Sequence, residues 1–123
     1  ADAHIAHYTT ELDLSWLREP YPQEVHKGLL VSGDRDLHPA DIKGLKRRFG
    51  AIAGDWESGA IAFVARRNEV PCLILRGVSD IVSEKGGEAY EDISLFEESA
   101  KQILSNLLST LPAWINRADV FTN

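Results

Sequence analysis

Short apolar runs alternate with amphipathic stretches from Lys27 onward. The runs "KGLLVSGD" and "AIAGDW" are each closed by turn-forming or acidic residues, which predicts buried strands that end in turns. "VPCLILRGV" is the clearest of the three runs, because Pro71 is tolerated in a strand only near its beginning. Nearly continuous apolar runs are typical of strands covered on both faces, so the pattern predicts a mainly parallel sheet.

Helical signals fill the segments between these strands. In "HPADIKGLKRRFG", Pro39 suits the first helical turn and Asp41 lies near the positive end of the helix, while two arginines precede Gly50 at its negative end. "ESGAIAFVARRN" predicts a second helix. Its small residues allow it to approach a sheet closely, namely Ser58, Gly59, Ala60 and Ala62.

The closing stretch "SLFEESAKQILSNLLSTL" predicts a third helix. Ser94 and Glu97 have the spacing of a capping box, and Pro112 is expected to end the helix. An apolar stripe along this helix comprises Leu95, Ile103, Leu104, Leu107, Leu108 and Leu111. Residues 1–26 are less regular, and only the alternating run "AHYTTELDL" indicates a further strand there.

This order of elements indicates the α/β class, with a mainly parallel or mixed sheet, right-handed crossovers and helices on both faces of the sheet. We expect residues 1–123 to form a single domain. In open α/β sheets, ligands bind outside the carboxyl ends of the strands. The informative residues are therefore those at which strands end: Ser32 to Leu37, Asp55 to Ser58, and Arg76 to Asp80.

Composition limits the classes of partner and cofactor. The formal net charge of −6 argues against a nucleic-acid partner, and the basic run "KGLKRR" is expected to be a solvated helix face. Cys72 is the only cysteine and the four histidines lack zinc-ligand spacing, so neither a disulfide nor a metal site is expected. No cofactor is expected either, since "GxGxxG", P-loop and nucleophile-elbow motifs are absent from the sequence.

The sequence carries no recognisable export or membrane signal. No apolar run approaches the roughly 20 residues that span a bilayer, and "ADAHIAHYTT" lacks the order of a signal peptide. We therefore expect a cytoplasmic protein with no membrane partner. The sequence contains no methionine, so either an initiator was removed before Ala1 or the chain is a piece of a longer one.

Acidic side chains follow all three predicted strands: Asp34 and Asp36, Asp55 and Glu57, and Asp80. At the carboxyl ends of parallel strands these groups are expected to converge on one edge of the sheet. Partial burial there raises the pKa of a carboxyl group toward the range useful for proton donation. Asp80 is the best candidate for such an acid, although from periodicity alone a helix-cap or turn aspartate is the commoner role.

Four positions at the predicted strand ends allow two interpretations each. Glu57 is either a partner of a helix dipole or a carboxylate that accepts hydrogen bonds from vicinal sugar hydroxyls. Trp56 is more often a core residue, but at a rim it forms a platform for an apolar part of a ligand. Arg76 is costly to bury unpaired, so it either pairs with Glu57 or Asp80 or anchors a ligand oxygen or a water. Gly77 allows the chain to pass close to a ligand or a neighbouring helix.

Together, "GLLVSGD", "AIAGDWESGAIAFVARRNEVPCLILRGVSD" and the closing helix resemble the carboxyl-terminal half of the nucleoside phosphorylase and nucleosidase superfamily, particularly the methylthioadenosine and S-adenosylhomocysteine nucleosidases. The match covers residues 27–112. It implies the carboxyl-terminal half of a phosphorylase-like three-layer sandwich. It also implies that the substrate is a small purine nucleoside, whose base is released by hydrolysis of the N-ribosyl bond.

The resemblance implies a role for each matching residue. Asp80 resembles the family's general acid, which protonates N7 of the purine, and Ser79 resembles the residue that positions this acid. Glu57 resembles the carboxylate that holds the ribose hydroxyls, and Arg76 the arginine beside the ribose and the attacking water. Leu37 falls where the family reads the base edge through main-chain groups.

The sequence departs from the family pattern in three respects. Asp36 stands where the family usually has a phenylalanine stacked on the purine, and Trp56 where it usually has a methionine under the sugar. These changes leave the preference for base and 5′ substituent open. The family's amino-terminal half, which supplies the water-activating glutamate, is not recognised in the chain. The expected partner is therefore a second copy, since family members are commonly dimers, or a missing amino-terminal half.

Three functions stay open on the sequence. An N-ribosyl hydrolase is favoured by the segment that follows Ser79 and Asp80, "IVSEKGGEAYEDISLFEESA". Bacterial phosphorylases of this superfamily with a similar serine–aspartate pair have an arginine in that segment, and this sequence has none. One alternative is a non-catalytic nucleoside-binding or interaction module. The other is a nucleoside phosphorylase, for which the chain shows no glycine-rich loop followed by arginine.

Overall fold

The computed structural model describes residues 8–83, 85–87 and 93–121. It contains a parallel sheet of two strands, β1 (Leu29–Ser32) and β2 (Ala51–Asp55), connected by helix α1 (Pro39–Phe49). The register pairs Ser32 with Asp55, so the two strands end side by side. Helix α2 (Ser58–Arg67) follows β2 and packs on β1. These four elements were predicted, and together they confirm a small α/β fold.

Helix α1 is bounded by local capping interactions. His38 is the N-cap, and its Nδ1 accepts a hydrogen bond from the Ala40 N–H at 3.2 Å. At the other end Gly50 has a φ of 64°, a left-handed conformation that glycine adopts without strain, and donates its N–H to the Lys46 carbonyl. The helix therefore begins and ends where the sequence predicted, although the capping role of His38 was not foreseen.

Helix α2 approaches the sheet closely because small residues face it. Ser58 and Ala62 are buried, and a Cβ atom placed on Gly59 would lie 2.9 Å from Cβ of Ser32. Real Cβ atoms do not approach one another this closely, so only glycine fits at this contact. The prediction that small residues bring this helix against the sheet is confirmed.

The prediction of a third strand in "VPCLILRGV" is wrong for this structure. Residues 70–81 have no regular secondary structure, and the apolar run 72–75 is only half-buried. An apolar run predicts burial, but a strand also needs a neighbouring strand for its backbone hydrogen bonds. Within the described ranges, β1 and β2 pair only with each other. The run therefore lacks both a neighbouring strand and a complete cover.

A short antiparallel pair, β3 (Val82–Ser83) and β4 (Gly86–Gly87), follows this segment and was not predicted. Helix α3 (Ile93–Ile115) and a 3₁₀ helix (Asp119–Phe121) complete the described chain. Because α3 begins at Ile93, Ser94 lies inside the helix, and its predicted role as an N-cap is wrong. Helix ends commonly differ from sequence-based positions by one or two residues.

The prediction that Pro112 ends the closing helix is also wrong, since α3 continues to Ile115. An interior proline costs about 3 kcal/mol through one lost hydrogen bond and a steric clash. Burial of Trp114, which is only 3% exposed, offsets this cost. A buried tryptophan removes about 200 Å² from water, which contributes roughly 5 kcal/mol. The Trp114 Nε1–H is buried with no partner among the described residues, and this lowers the gain by about 1–3 kcal/mol. Tertiary packing of the last turn therefore overrides the local signal.

The segment around Leu17 packs against the end of α3. Leu17 forms an antiparallel bridge with Ala118, and the Arg18 N–H donates to the Arg117 carbonyl at 2.8 Å. Arg18 Nε lies 2.7 Å from Asp119 Oδ1 in a salt bridge. These contacts join two parts of the chain that are far apart in sequence.

The predicted strand in "AHYTTELDL" is not present in the described part of that run. Residues 9–14 have no regular secondary structure. Residues 6 and 7 of the run lie outside the described residues. Alternation over so short a stretch predicts one apolar face, and here that face has no sheet edge to join.

Large apolar side chains remain exposed on the surface. In the predicted apolar stripe of α3, Ile103 and Leu107 are half-buried, whereas four members are exposed, namely Leu95, Leu104, Leu108 and Leu111. The accessible surface area of the chain is 9649 Å². A compact monomer of this mass exposes about 6,600 Å². The chain therefore presents apolar faces that it does not cover itself. In the described residues, no helix is both long enough and apolar enough to cross a membrane.

Gly77 lies directly against α3, as one of its two predicted roles requires. A Cβ atom at this position would lie 2.3 Å from Cγ2 of Ile103. We expect Gly77→Ala to lower the free energy of unfolding by about 1–3 kcal/mol through overpacking, as measured by urea denaturation. Gly44→Ala is the matched control, because a Cβ in that helical position meets nothing within 4 Å. It should stabilise α1 by up to about 1 kcal/mol.

The additional variant Ile103→Ala distinguishes overpacking from backbone strain at position 77. If overpacking is the cause, Gly77→Ala should cost much less in the Ile103→Ala background than in the native one. An undiminished cost would contradict the proposed contact with α3.

Candidate functional site

The carboxylate of Asp55, at the end of β2, is the centre of a hydrogen-bond network. Ser32 Oγ, at the end of β1, donates to Asp55 Oδ1 at 2.6 Å. The Ser58 N–H donates to the same oxygen at 3.1 Å, and the Ser58 hydroxyl donates to Asp55 Oδ2. The carboxylate thus connects the ends of both strands with the first residue of α2.

The start of α2 is held by the same network. Ser32 Oγ accepts a hydrogen bond from the Gly59 N–H at 2.8 Å. With the Ser58 N–H bonded to Asp55, two of the N–H groups that a helix start leaves without intrahelical partners are satisfied by side chains. The Gly33 N–H also donates to the Asp55 carbonyl at 3.1 Å, which extends the pairing beyond Ser32. The rim where the two strands end is therefore firmly fixed.

Arg76 joins this network from the segment after α2. Its terminal nitrogen Nη2 lies 2.8 Å from Asp55 Oδ2 and 3.2 Å from Glu57 Oε2. Its Nε donates to Ser58 Oγ at 3.1 Å. The predicted pairing of Arg76 with Glu57 is thus present, but Asp55 is the nearer carboxylate. Asp55 was not identified from the sequence as a partner of Arg76. The available signal was its position three residues before Ser58, since an acid at such a position commonly binds the N–H groups at a helix start.

The electrostatic environment keeps Asp55 ionised. Burial by itself would raise the pKa of this carboxyl group, but hydrogen bonds from Ser32 and Ser58 and the charge of Arg76 outweigh burial, so the pKa lies below its ordinary value. The Asp55 side chain is only 14% exposed. An ionised, shielded carboxylate suits a structural anchor and not a proton donor at neutral pH.

Glu57 differs from Asp55 in being open to solvent. Its side chain is 57% exposed, and only Oε2 contacts Arg76. Although Glu57 is the N-cap residue of α2, its side chain makes no capping hydrogen bond. No described residue donates a hydrogen bond to Glu57 Oε1. This oxygen is therefore positioned at the rim and available to accept hydrogen bonds from a ligand.

Trp56 is an exposed rim residue. Its side chain is 60% exposed, so of the two interpretations offered by the sequence the core role does not apply in this structure. The indole precedes Glu57 directly and follows the end of β2. Its placement is compatible with a platform for an apolar part of a ligand.

The other predicted site residues lie on two irregular segments. Asp80 is half-buried and Ser79 is exposed, four and three residues after Arg76. In the loop after β1, Asp36 is exposed, while the Leu37 side chain covers Gly54 of β2, with Cδ1 2.9 Å from the Cβ position of that glycine. Leu37 thus anchors its loop on the sheet. The functional roles of these four residues remain predictions.

Both arginines near the strand ends are engaged by carboxylates. Arg76 contacts Asp55 and Glu57, and Arg35 contacts Asp41 at 2.8 Å. Over residues 8–83, 85–87 and 93–121, no group of three or more histidine, cysteine or acidic side chains has the geometry to hold a metal ion. The rim therefore offers carboxylate oxygens to a ligand more readily than unpaired positive charge.

Comparison with known proteins agrees with the sequence-based resemblance. The family model that describes the sequences of the phosphorylase superfamily matches residues 3–112 of this chain. An aminodeoxyfutalosine nucleosidase from Helicobacter pylori strain J99 is 36% identical over 75 residues, which make up 60% of this chain and 32% of that protein. A 5′-methylthioadenosine/S-adenosylhomocysteine nucleosidase from Halalkalibacterium halodurans is 38% identical over 84 residues, 67% of this chain and 35% of that protein.

A further 5′-methylthioadenosine/S-adenosylhomocysteine nucleosidase, from Maridesulfovibrio salexigens, is 32% identical over 99 residues, which are 79% of this chain and 42% of that protein. The chain thus spans 32% to 42% of the length of these curated relatives. No solved structure matches the chain at a significant level.

Proposed function

This chain belongs to the phosphorylase superfamily, and on that premise we propose that it carries part of the active site of a purine nucleosidase. The proposed reaction is hydrolysis of the N-ribosyl bond of a nucleoside such as 5′-methylthioadenosine or S-adenosylhomocysteine. Two of the relatives are named for these substrates. The observation that carries the proposal is the Arg76–Glu57 pair at 3.2 Å, which leaves one oxygen of Glu57 open at the rim.

Glu57 and Arg76 would bind the ribose. A single carboxylate oxygen can accept hydrogen bonds from both vicinal hydroxyl groups, and hydrogen bonds to a charged acceptor contribute about 1.5–3 kcal/mol. Arg76 neutralises part of the charge of Glu57 and holds its Oε2. Exposed Trp56 beside this pair would pack against the sugar or its 5′ substituent.

Asp80 would act as the general acid, with Ser79 as its positioning residue. In the proposed reaction the bond between the ribosyl C1′ and purine N9 breaks, and its electron pair stays on the purine as Asp80 protonates N7. Water adds to C1′ and gives up one proton, so that the products are the free base and the sugar. General acid catalysis of this kind contributes about 10²- to 10⁴-fold in rate. The group that activates the water is assigned to no residue of this chain.

Leu37 and Asp36 would lie near the base. The Leu37 side chain fixes its loop on Gly54, so the backbone of residues 36 and 37 is held at the end of the sheet. Main-chain groups at this position would contact the base edge. Asp36, an exposed acid, would accept a hydrogen bond from an exocyclic amino group of the base.

Two observations favour hydrolysis over phosphorolysis. A phosphate co-substrate needs unpaired positive charge or a cradle of backbone N–H groups. Arg35 and Arg76 are both bound to carboxylates, and the α2 N–H groups of Ser58 and Gly59 are bonded to Asp55 and Ser32. Water requires neither feature.

The architecture of the whole protein is part of the proposal. We infer that residues 70–78 form a third strand of a parallel or mixed sheet when a neighbouring strand is supplied, which would complete a three-layer phosphorylase-like sandwich. The half-buried apolar run 72–75 and the exposed stripe of α3 support this inference. The neighbour would come from an amino-terminal half or from a second copy of the chain.

A non-catalytic nucleoside-binding module is the second candidate. It is supported by the open oxygen of Glu57 at the rim, since binding of sugar hydroxyls there needs no group that activates water. Base release assays distinguish the two candidates.

Glu57→Gln is expected to weaken nucleoside binding by about 1.5–3 kcal/mol and to leave free adenine nearly unaffected. Calorimetric titration with methylthioadenosine and with adenine measures both, on the chain assembled with an amino-terminal half from a nucleosidase relative. Glu24→Gln, at an exposed acid distant in sequence from the rim, is the control. Equal weakening of nucleoside and base would reject the ribose-binding role.

A further inference from the structure

We propose that Asp55 is a positioning residue that holds the Arg76 guanidinium, so that one oxygen of Glu57 stays open to the two vicinal hydroxyls of the sugar. The inference rests on the proposed ribose-binding role of Glu57. It adds a residue to which neither the resemblance nor the comparisons gave a function. Asp55 contacts no ligand in this scheme and acts through Arg76.

The guanidinium of Arg76 is fixed from the protein side. Asp55 Oδ2 lies 2.8 Å from Nη2 of Arg76, and Ser58 Oγ accepts a hydrogen bond from Nε of Arg76 at 3.1 Å. Since Ser58 in turn donates to Asp55, two hydrogen bonds and the Arg76–Asp55 ion pair join these three side chains in a closed ring. The plane of a guanidinium is set once two of its nitrogens are bound. Its orientation toward Glu57 follows from these contacts.

The contact to Glu57, a hydrogen bond from the arginine, is the more exposed side of this arrangement. It is longer, at 3.2 Å, and the Glu57 side chain is far more exposed than that of Asp55. Exposed ion pairs contribute little and readily change geometry. An arginine released from Asp55 would be free to bind the carboxylate of Glu57 with two parallel hydrogen bonds, the geometry that such pairs prefer. Both oxygens of Glu57 would then be occupied, and none would remain for the sugar.

Asp55 is itself held by groups on both strands. Ser32 from β1 and Ser58 from α2 donate to its two oxygens, and the strand register places Ser32 beside it. Asp55 therefore fixes the position of the Arg76 guanidinium relative to the sheet. The arrangement selects for a ligand with a hydroxyl pair and not for the base.

The first measurement follows the Nε–H signal of Arg76 by nitrogen-15 NMR on the chain itself, without ligand. The signal is assigned by its loss in Arg76→Lys. We expect it to be protected from exchange in the native chain and to broaden or disappear in Asp55→Asn. Asp41→Asn is the matched control, because it removes the carboxylate from another arginine pair, with Arg35 at 2.8 Å. A protected Arg76 signal that persists in Asp55→Asn overturns the proposal.

The second measurement is nucleoside affinity in the chain assembled with an amino-terminal half. Asp55→Asn should weaken adenosine at least tenfold, and should leave adenine and 2′,3′-dideoxyadenosine unchanged, since these lack the hydroxyl pair. In the Glu57→Gln background, Asp55→Asn should have no further effect on adenosine, because it acts through Glu57. A merely structural defect would weaken all three ligands and would add to the effect of Glu57→Gln, and either result overturns the proposal.

Failure of the ribose-binding role would give a different result. If Glu57→Gln alone left adenosine binding unchanged, the proposed function of Glu57 would be wrong. The loss of the Arg76 signal in Asp55→Asn would still show that Asp55 holds the arginine. The two failures are therefore distinguishable.

Discussion

Asp80→Asn is expected to lower base release by about 10²- to 10⁴-fold in the chain assembled with an amino-terminal half. Asparagine keeps the shape of the side chain but has no proton to transfer to N7 of the purine. Without this proton the base would leave as an anion, which is a much poorer leaving group. Adenine release from methylthioadenosine, followed by chromatography under single-turnover conditions, measures the effect directly.

Two controls separate catalysis from stability at this position. Asp34→Asn removes an exposed acid from the loop after β1, at the same sheet edge, and should leave the rate within a few-fold of the native value. The thermal midpoint of Asp80→Asn should stay close to that of the native chain. A variant that keeps near-native turnover would show that Asp80 is not the acid. A large fall in the thermal midpoint would support the turn or cap role that periodicity alone favours.

The chain by itself is expected to release no adenine and to bind nucleosides weakly or not at all. In the proposed reaction Asp80 protonates the base, but none of the acids in residues 1–26 lies in a sequence context that would place it beside the ribosyl carbon to orient water. Of these acids, Asp13 is engaged locally, since it accepts a hydrogen bond from the Ser15 N–H at 2.9 Å. Adenine release should therefore appear only when an amino-terminal half is supplied.

The same chain is also expected to self-associate. Its accessible area of 9649 Å² is about 3,000 Å² greater than that of a compact monomer of equal mass. Several large apolar side chains of α3 are among the exposed residues, and contiguous exposed apolar patches are typical of surfaces that contact another protein. Among the described residues, β1 and β2 pair only with each other, so their outer edges add backbone groups that a further strand can bind.

Sedimentation and activity assays test these two expectations together. The chain should sediment as oligomers, and Leu108→Glu on the exposed stripe of α3 should lower its association. Ser105→Glu, which adds the same charge at an exposed polar position of α3, is the control. Robust adenine release by the chain alone would contradict the proposal and would mean that an acid of this chain, or of a second copy, activates the water. A clean monomer would contradict the assignment of the uncovered faces.

The parts of the fold that were predicted depend on local signals. Pro39 and Gly50 help to bound α1 through their backbone conformations, and the small residues of α2 act through size. The third strand and the end of α3 were predicted wrongly, because both depend on contacts with other parts of the protein. The apolar run before Arg76 has no neighbouring strand in the described chain, and Pro112 is overridden by the burial of Trp114. Sequence patterns report the preference of a segment, and they do not report which neighbour is present.

The candidate site shows the same division. Chain order alone indicated that strand ends would carry acids, and the pair of Arg76 with Glu57 follows from an arginine that needs a carboxylate. The central place of Asp55 was missed because it depends on strand register. Only the pairing of Ser32 with Asp55 brings a hydroxyl from a distant segment to this carboxylate. No spacing along the chain encodes that contact.

The bridge between Leu17 and Ala118 constrains the order in which the protein can be built. Arg18 and Asp119, which form the salt bridge beside it, are 101 positions apart. A ribosome adds about 5–20 residues per second, so roughly 5–20 seconds pass between the synthesis of Arg18 and the synthesis of Asp119. The sheet of β1 and β2 and helix α2 can assemble during this interval, because all their residues have been made by then. The bridge between Leu17 and Ala118 can form only after translation has passed the end of α3.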